Sequence, residues 1–428
     1  MQLREHLSKG IWAIADKALI FLNGFTILLI VIAVLPAKEW AAFSLFQSIF
    51  LIICVLSDSV FLQPMVKFAS EHKAEVSEIL AASFNLYALV MLLSGAGFAI
   101  FADGSAQLFA SPELGSMLLW LPLILALNIF RNVGIRYLQI TYRILDIFWV
   151  DLAFFGSITL ITILANSLGV FHTAMDFVTI NLIGGALSSL VAIIFARQAF
   201  FKMPLMKVPR IEYGKLLSFA KFQAGTSALL TVQQWADVLV VGVYAPAYVA
   251  LYSAAKTLYR FFDALREGAT LLIVPIASRL HTSGDSTRLS ELVEKMLFLA
   301  FAALVPISLT LALGSDLLMN IFYKGKFPGI AQVFQILILT GFTLPLALVS
   351  TNVLIGIGRV KGLFFSVLGG TIIFFGLNRL LVPQMAAAGA ALSVLVSTTA
   401  IGIFAFIAMR RELTISAKGI FRSVKNLR

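Results

Sequence analysis

Apolar runs of roughly twenty residues recur from one end of this sequence to the other, and no other feature constrains the fold as much. Each run can cross the hydrocarbon core of a bilayer as a helix, in which every backbone N–H and C=O finds a partner within its own segment. A β-barrel is excluded, because barrel strands are short and alternate in polarity. Composition closes off a water-soluble fold. Of the 428 residues 60% are hydrophobic and 12% charged, against about a quarter charged in a soluble domain, and mean hydropathy is +0.98.

Hydropathy places about twelve spans, near 11–35, 40–65, 79–102, 115–138, 147–170, 176–199, 218–243, 248–275, 295–314, 331–357, 361–381 and 385–408. The connections are short, and those around 200–216 and 276–294 hold at most a small helix. The basic start (Arg4, Lys9) runs into a full-length apolar segment without a small-residue cleavage pattern, so the first span is expected to be retained.

The formal net charge of +11 would suggest nucleic acid in a soluble protein. Here the cations sit between apolar runs and set topology, so no nucleic-acid partner is expected. With the N-terminus cytoplasmic, the inner side collects Arg4, Lys9, Lys67, Lys73, Arg131, Arg136, Arg143, Arg197, Lys202, Lys207, Arg210, Lys215, Lys221, Arg279, Arg288, Lys295, Arg359, Lys361 and the tail's Arg410, Arg411, Lys418, Arg422, Lys425 and Arg428. The outer side keeps Lys38, Lys324, Lys326 and Arg379. The bias is about six to one, and it predicts both termini in the cytoplasm.

The chain divides near residue 210 into two halves of about six spans each: 1–210, 211–410, and a basic tail 411–428. Val31–Phe50 aligns without gaps on Val240–Tyr259. The shared pattern is a valine-rich span end, an outer turn with proline, and then aromatic-Ser-x-x-polar opening the next helix. Repeats of six spans have the same orientation, which predicts an all-α polytopic membrane protein: two six-helix bundles related by a pseudo-two-fold axis along the membrane normal, around a central cavity.

The eighth span breaks the apolar rule most sharply, with Lys256, Arg260, Asp263, Arg266 and Glu267. Lys256, Arg260, Asp263 and Glu267 are spaced four, three and four, which places them on one helical face. Each charge at mid-bilayer costs about 2.5–3.5 kcal/mol even on the lenient insertion scale, so the face is expected to meet protein or a watery cavity. The same spacing also suits ion pairs that only lock helices together, and Lys256 could snorkel outward. Gln233 and Asp237 lie in the seventh span. In the other half, Asp16, Lys17 and Asn23 lie in the first span and Gln47 and Asp58 in the second. Arg131 and Arg136 read as the inner end of the fourth span, though a cytoplasmic vestibule would also use them.

Other motifs limit the chemistry. No Gly-x-x-x-x-Gly-Lys-Ser/Thr occurs, so the chain has no phosphate-binding ATPase loop of its own. Gly356-Ile357-Gly358-Arg359 reads as a tight turn, and Asp316–Gly329 as a short amphipathic segment at the outer surface. The lone Cys54 and the scattered His6, His72, His172 and His281 offer neither a disulfide nor a metal site. No cofactor is expected.

Trp235-Ala-Asp-Val-Leu-Val-Val-Gly242 and Ala250-Leu-Tyr-Ser-Ala-Ala-Lys-Thr-Leu258, with Tyr137–Arg143 and Ala387–Leu392, resemble motifs of the polysaccharide transporters. These are the O-antigen flippases of the multidrug/oligosaccharidyl-lipid/polysaccharide exporter superfamily. The resemblance covers essentially the whole chain. Ala42 and Ala250 depart from it where the family often has glycine. It implies a transporter, not an enzyme, that moves an undecaprenyl-pyrophosphate-linked oligosaccharide across the bacterial inner membrane by alternating access. In that setting Lys17, Lys256, Arg260 and Arg266 are candidates to face the pyrophosphate. Asp58, Asp237, Asp263 and Glu267 are candidates for a coupling ion, proton or sodium. The implied partners are the lipid-linked substrate, membrane lipids and other glycan-assembly membrane proteins.

Three rivals remain on the sequence. A drug/cation antiporter of the same superfamily would favour an acidic, aromatic cavity, which the intramembrane cations oppose. A lipid II flippase usually has extra spans. A glycosyltransferase, ligase or polymerase of the same pathway would need a large external loop.

Overall fold

A computed structural model of the chain describes residues 2–71, 76–203 and 210–415. His72 and the tail from 416 lie outside the described residues, as do the side chains of His6 and Glu267. The described residues are helical throughout, with turns between helices and no strand. This multi-span membrane protein forms two compact units, Met1–Ala224 and Gly225–Arg428.

Among the described residues, nine helices are long and apolar enough to cross a membrane. Against the roughly twelve expected from hydropathy, three features of the helices bear on the difference. Ile330–Phe342 and Leu344–Gly356 are together long and apolar enough to cross, and are bent by 49° at the break between them. The 51-residue helix Val360–Arg410 contains one non-helical residue, Ala386 (φ 49°, ψ −126°), which divides it into the eleventh and twelfth spans. The stretch expected as the eighth span consists of the helices Val249–Tyr259 and Phe261–Thr282, whose charges leave them out of the nine.

In the first unit, the first span ends at Val34, where Leu35 turns extended (ψ 136°) because the ring of Pro36 crowds the helical conformation of the residue before it. The second helix, Ala37–Ser57, continues as a π-helical turn, Asp58–Leu62, and then as Gln63–Glu71. Pro64 lies just beyond that turn and has no N–H to donate back, which favours a local change in hydrogen-bond register. The third to sixth spans are Val76–Ile100, Leu121–Ile140, Ile144–Ser167 and Ala174–Phe195. The fourth begins later than hydropathy suggests, because two short helices, Ala102–Leu108 and Pro112–Leu118, occupy the connection before it. The fourth and sixth spans approach closely at Gly134, where an added Cβ would come within 2.9 Å of the Ala192 Cβ. Such small-residue contacts let membrane helices pack backbone to backbone.

The seventh span, Ala224–Tyr244, opens the second unit from its second residue on, and the broken eighth and the ninth, Ser286–Leu313, follow. The bent tenth span packs against the eighth and against the last helix pair. Gly358 takes a positive φ of 75°, the tight turn read from Gly356–Arg359. Ser315–Tyr323 is a separate helix before the tenth span that exposes Leu317 and Ile321 and buries Met319 and Tyr323, as an interfacial amphipathic segment should. The Ala387–Leu392 motif has a steric reason. A Cβ on Gly389 would lie 2.4 Å from the Leu381 carbonyl oxygen, so only glycine permits this fold-back after Ala386.

Candidate functional site

The charged face of the eighth span meets the seventh. Lys256 is 4% exposed and Asp237 is fully buried. The Lys256 Nζ lies 2.5 and 2.6 Å from the two Asp237 carboxylate oxygens and also donates to the Gln234 carbonyl. The buried Tyr252 hydroxyl donates to Asp237 Oδ2 at 2.6 Å, and the Val238 N–H donates to Oδ1 at 2.8 Å. Lys256 therefore neither snorkels nor stands open. It neutralises a carboxylate that the seventh span buries completely.

One turn further on, the helix breaks. Arg260 leaves the ideal helical conformation (φ −57°, ψ −12°) and joins the two halves of the eighth span. Its guanidinium lies 4.2 Å from the centre of the Trp235 ring, a distance suited to a cation–π contact. Arg260 is half-buried. Among the described residues it has neither a carboxylate within ion-pair distance nor a hydrogen-bond acceptor. A guanidinium carries five N–H donors in a planar fork that fits carboxylates and phosphates, and here the fork is unmatched.

Asp263 accepts a hydrogen bond from Gln234 Nε2 at 3.0 Å. Arg266, 43% exposed at its side chain, comes no nearer than 3.8 Å to the Asp263 carboxylate, a loose contact. Lys256, Arg260 and Asp263 thus all turn to residues 234–237 of the seventh span, so the face keeps its direction through the break. The unbroken eighth span expected from hydropathy is corrected at Arg260. The side chain of Glu267, the fourth member of the stripe, lies outside the described set.

The first unit handles its charges differently. The Arg136 guanidinium grips Asp58 through both oxygens, at 3.0 and 2.6 Å, and also donates to Gln139 Oε1 at 2.9 Å. Arg131 pairs with Asp151, donates to Ser188 Oγ and Asn132 Oδ1, both at 3.1 Å, and lies 4.5 Å from the Phe154 ring. Asp58 opens one π-helical turn, and Asp151 immediately precedes another, Leu152–Gly156. Lys17 is exposed on the first span. Sequence reasoning gave three residues no partner. Arg131 and Arg136 resembled span-end markers, yet both are held by carboxylates within the helix bundle. Trp235 stood out only as part of a motif; its place two residues before Asp237 gave no sign that it would underlie Arg260.

The model of the family described as polysaccharide biosynthesis protein matches residues 48–332. The chain belongs to that family. Among solved structures, it is similar to the inward closed conformation of the lipid II flippase MurJ, with a TM-score of 0.76 and 15% identity over 97% of this chain and 90% of that one. It is also similar to an inward-facing multidrug resistance MATE family transporter of the MOP superfamily, with a TM-score of 0.73 and 14% identity over 98% and 96% of the chains. A MOP superfamily transporter from Pyrococcus furiosus, whose binding pocket is described as having reverse polarity, matches at a TM-score of 0.57 and 13% identity over 98% and 95%. At these identities the likeness shows a shared fold. No curated protein matches by sequence. On that shared fold, Arg260 and the Trp235 ring beneath it form the centre of this chain's candidate site.

Proposed function

We propose that this chain is a flippase that moves an undecaprenyl-pyrophosphate-linked oligosaccharide, an O-antigen or similar repeat unit, by alternating access. The substrate passes from the cytoplasmic to the periplasmic leaflet of the bacterial inner membrane, with both protein termini in the cytoplasm. No bond is made or broken, so the chain is a transporter and not an enzyme. One observation carries the reading: Arg260 lies at a break inside a membrane span, stacked on Trp235, with no protein anion among the described residues to neutralise it. An intramembrane charge held without a counter-charge is costly, and an anionic ligand supplies what the protein leaves out. A bidentate fork suits a pyrophosphate. Family membership points to glycan assembly, and a lipid II flippase shares the fold.

In this reading Arg260 and Arg266 contact the pyrophosphate. Lys256 positions the site by holding the Trp235–Asp237 segment. Asp263, held by a neutral amide and only loosely by Arg266, is with Glu267 our candidate for a coupling proton or sodium ion. Asp58 and Asp237 have strong cationic partners already. A drug/cation antiporter is disfavoured because an unneutralised guanidinium repels a cationic substrate. The test is flipping of a defined lipid-linked oligosaccharide in proteoliposomes, with and without ion gradients. Arg260→Ala is expected to abolish most flux at normal protein levels. Unchanged flux in both Arg260→Ala and Lys256→Ala would overturn the reading.

A further inference from the structure

A second basic site lies in the second unit, at the hairpin between the eighth and ninth spans. A cavity of about 650 Å³ is lined by Pro275, Ile276, Arg279 and Leu280 from one helix and Arg288, Glu291, Leu292 and Lys295 from the next. Three cations face one carboxylate there. Among the described residues, none of these four charged side chains makes an ion pair or side-chain hydrogen bond. Arg288 is engaged only through its backbone N–H, which Asp285 accepts at 3.0 Å to cap the ninth helix. Like-charged groups gathered around an open cavity repel one another unless a counter-charge joins them.

The apolar half of the lining argues for what that counter-charge is attached to. Ile276 is 40% exposed, and Leu272, one turn deeper on the same helix, is 66% exposed. Leu299 on the ninth helix is 50% exposed, one turn deeper than Lys295. The cavity is therefore polar toward the hairpin and continues into apolar helix surface toward the membrane interior. A free phosphate would use the cations and leave that surface unused; a phospholipid uses both. The volume also falls within the usual range for a small-molecule site, and basic pockets between membrane helices suit anionic headgroups.

We propose that this cavity binds the headgroup of an anionic phospholipid. Arg279, Arg288 and Lys295 hold its phosphate, and its acyl chains lie along Ile276 and Leu272. The site is separate from Arg260, and its failure would leave the transport reading untouched.

The test is native mass spectrometry of the purified full chain, incubated with phosphatidylglycerol or phosphatidylcholine, with inorganic phosphate as a soluble competitor. The wild type should retain phosphatidylglycerol selectively and keep it in the presence of phosphate. Removing each cation should weaken retention roughly fivefold, so Arg279→Gln/Arg288→Gln/Lys295→Gln should weaken it about a hundredfold. Glu291→Gln should strengthen retention by a few-fold, a gain that misfolding does not produce. Should the triple variant fail to fold, Arg288→Gln and Glu291→Gln carry the test in opposite directions. Equal retention of the two lipids, no change in the variants, displacement by inorganic phosphate, or preference for an isoprenyl pyrophosphate over phosphatidylglycerol would each overturn the proposal.

Discussion

The two units solve the problem of intramembrane charge in opposite ways. In the first, Arg131 and Arg136 are each matched by a carboxylate, and the remaining guanidinium donors find side-chain oxygens. In the second, Lys256 is matched by Asp237, but Arg260 one turn away has, among the described residues, an aromatic face in place of an anion. Extending the alignment of Val31–Phe50 on Val240–Tyr259 by the same register sets Leu28 against Asp237 and Gln47 against Lys256. The first half thus does without the buried pair at the corresponding place. The difference teaches that the pair is not demanded by the repeat, and that the second unit carries an extra, localised polar structure beside its unmatched guanidinium.

The largest effect is expected from breaking that pair on one side only. Lys256→Ala leaves the Asp237 carboxylate buried with Tyr252 as its remaining side-chain donor, and should destabilise the protein by about 3–5 kcal/mol. Thermal unfolding in detergent measures this. Replacing both residues by their counterparts, Asp237→Leu with Lys256→Gln, should recover much of the loss, because buried pairs often gain little over apolar packing. A double variant no more stable than Lys256→Ala would break the comparison between the halves.

Next comes the unmatched guanidinium. Hydrogen bonds to charged groups contribute about 1.5–3 kcal/mol, so Arg260→Ala should lower flipping by roughly ten- to a hundredfold. Trp235→Ala removes a contact of about 0.5–2 kcal/mol and should cost less flux than Arg260→Ala. Neither should lower the unfolding temperature as far as Lys256→Ala. Were Arg260→Ala chiefly a stability defect, the contrast drawn between Lys256 and Arg260 would collapse.

A smaller effect is expected where the interfacial helix is anchored. The Tyr323 hydroxyl donates to the Ala254 carbonyl at 2.7 Å, just before the break in the eighth span. Tyr323→Phe should cost about 1 kcal/mol of stability, again by thermal unfolding. An unchanged midpoint would mean that this tie is not formed.

How legible was this in the sequence? The spans were, because a bilayer demands length and apolarity together and both are written along the chain. The places where the reading slipped are places where local hydropathy carries no information. Trp120 and Leu121 look continuous with the residues before them, so the two short helices ahead of the fourth span were hidden. Arg260 looked like one member of an unbroken stripe, since nothing in residues 256–263 signals a helix break; no glycine or proline is present. The spacing correctly gathered Lys256, Arg260 and Asp263 on one face, but spacing within a helix cannot show what that face meets. The partners, Trp235, Asp237 and Gln234, come from another span, and their pairing is a matter of tertiary packing. The same holds for Arg131 and Asp151, which are twenty residues apart in the sequence and in contact in the fold.

The smallest effect concerns a charge pair at the exposed start of the second helix, where water screens what the membrane interior would magnify. Lys38 and Glu113 pair at 2.6 Å in the first unit. For Glu113, burial works to raise the carboxyl pKa, but the Lys38 hydrogen bond and charge, with local hydrogen bonds, outweigh it and hold the group below its ordinary 4.5. The sign fixes the window. The carboxylate's contribution is complete above 4.5 and is lost as pH falls through its lowered folded value. Lys38 is fully solvated, so the consequence for stability is slight. Carbon-13 NMR titration of the Glu113 carboxyl is the sensitive readout, and Lys38→Met should move its midpoint upward. A midpoint indifferent to Lys38 would show that a surface pair seen at close range has no electrostatic effect, in contrast to Asp237 and Lys256, for which the same exchange of one partner should decide whether the unit holds together.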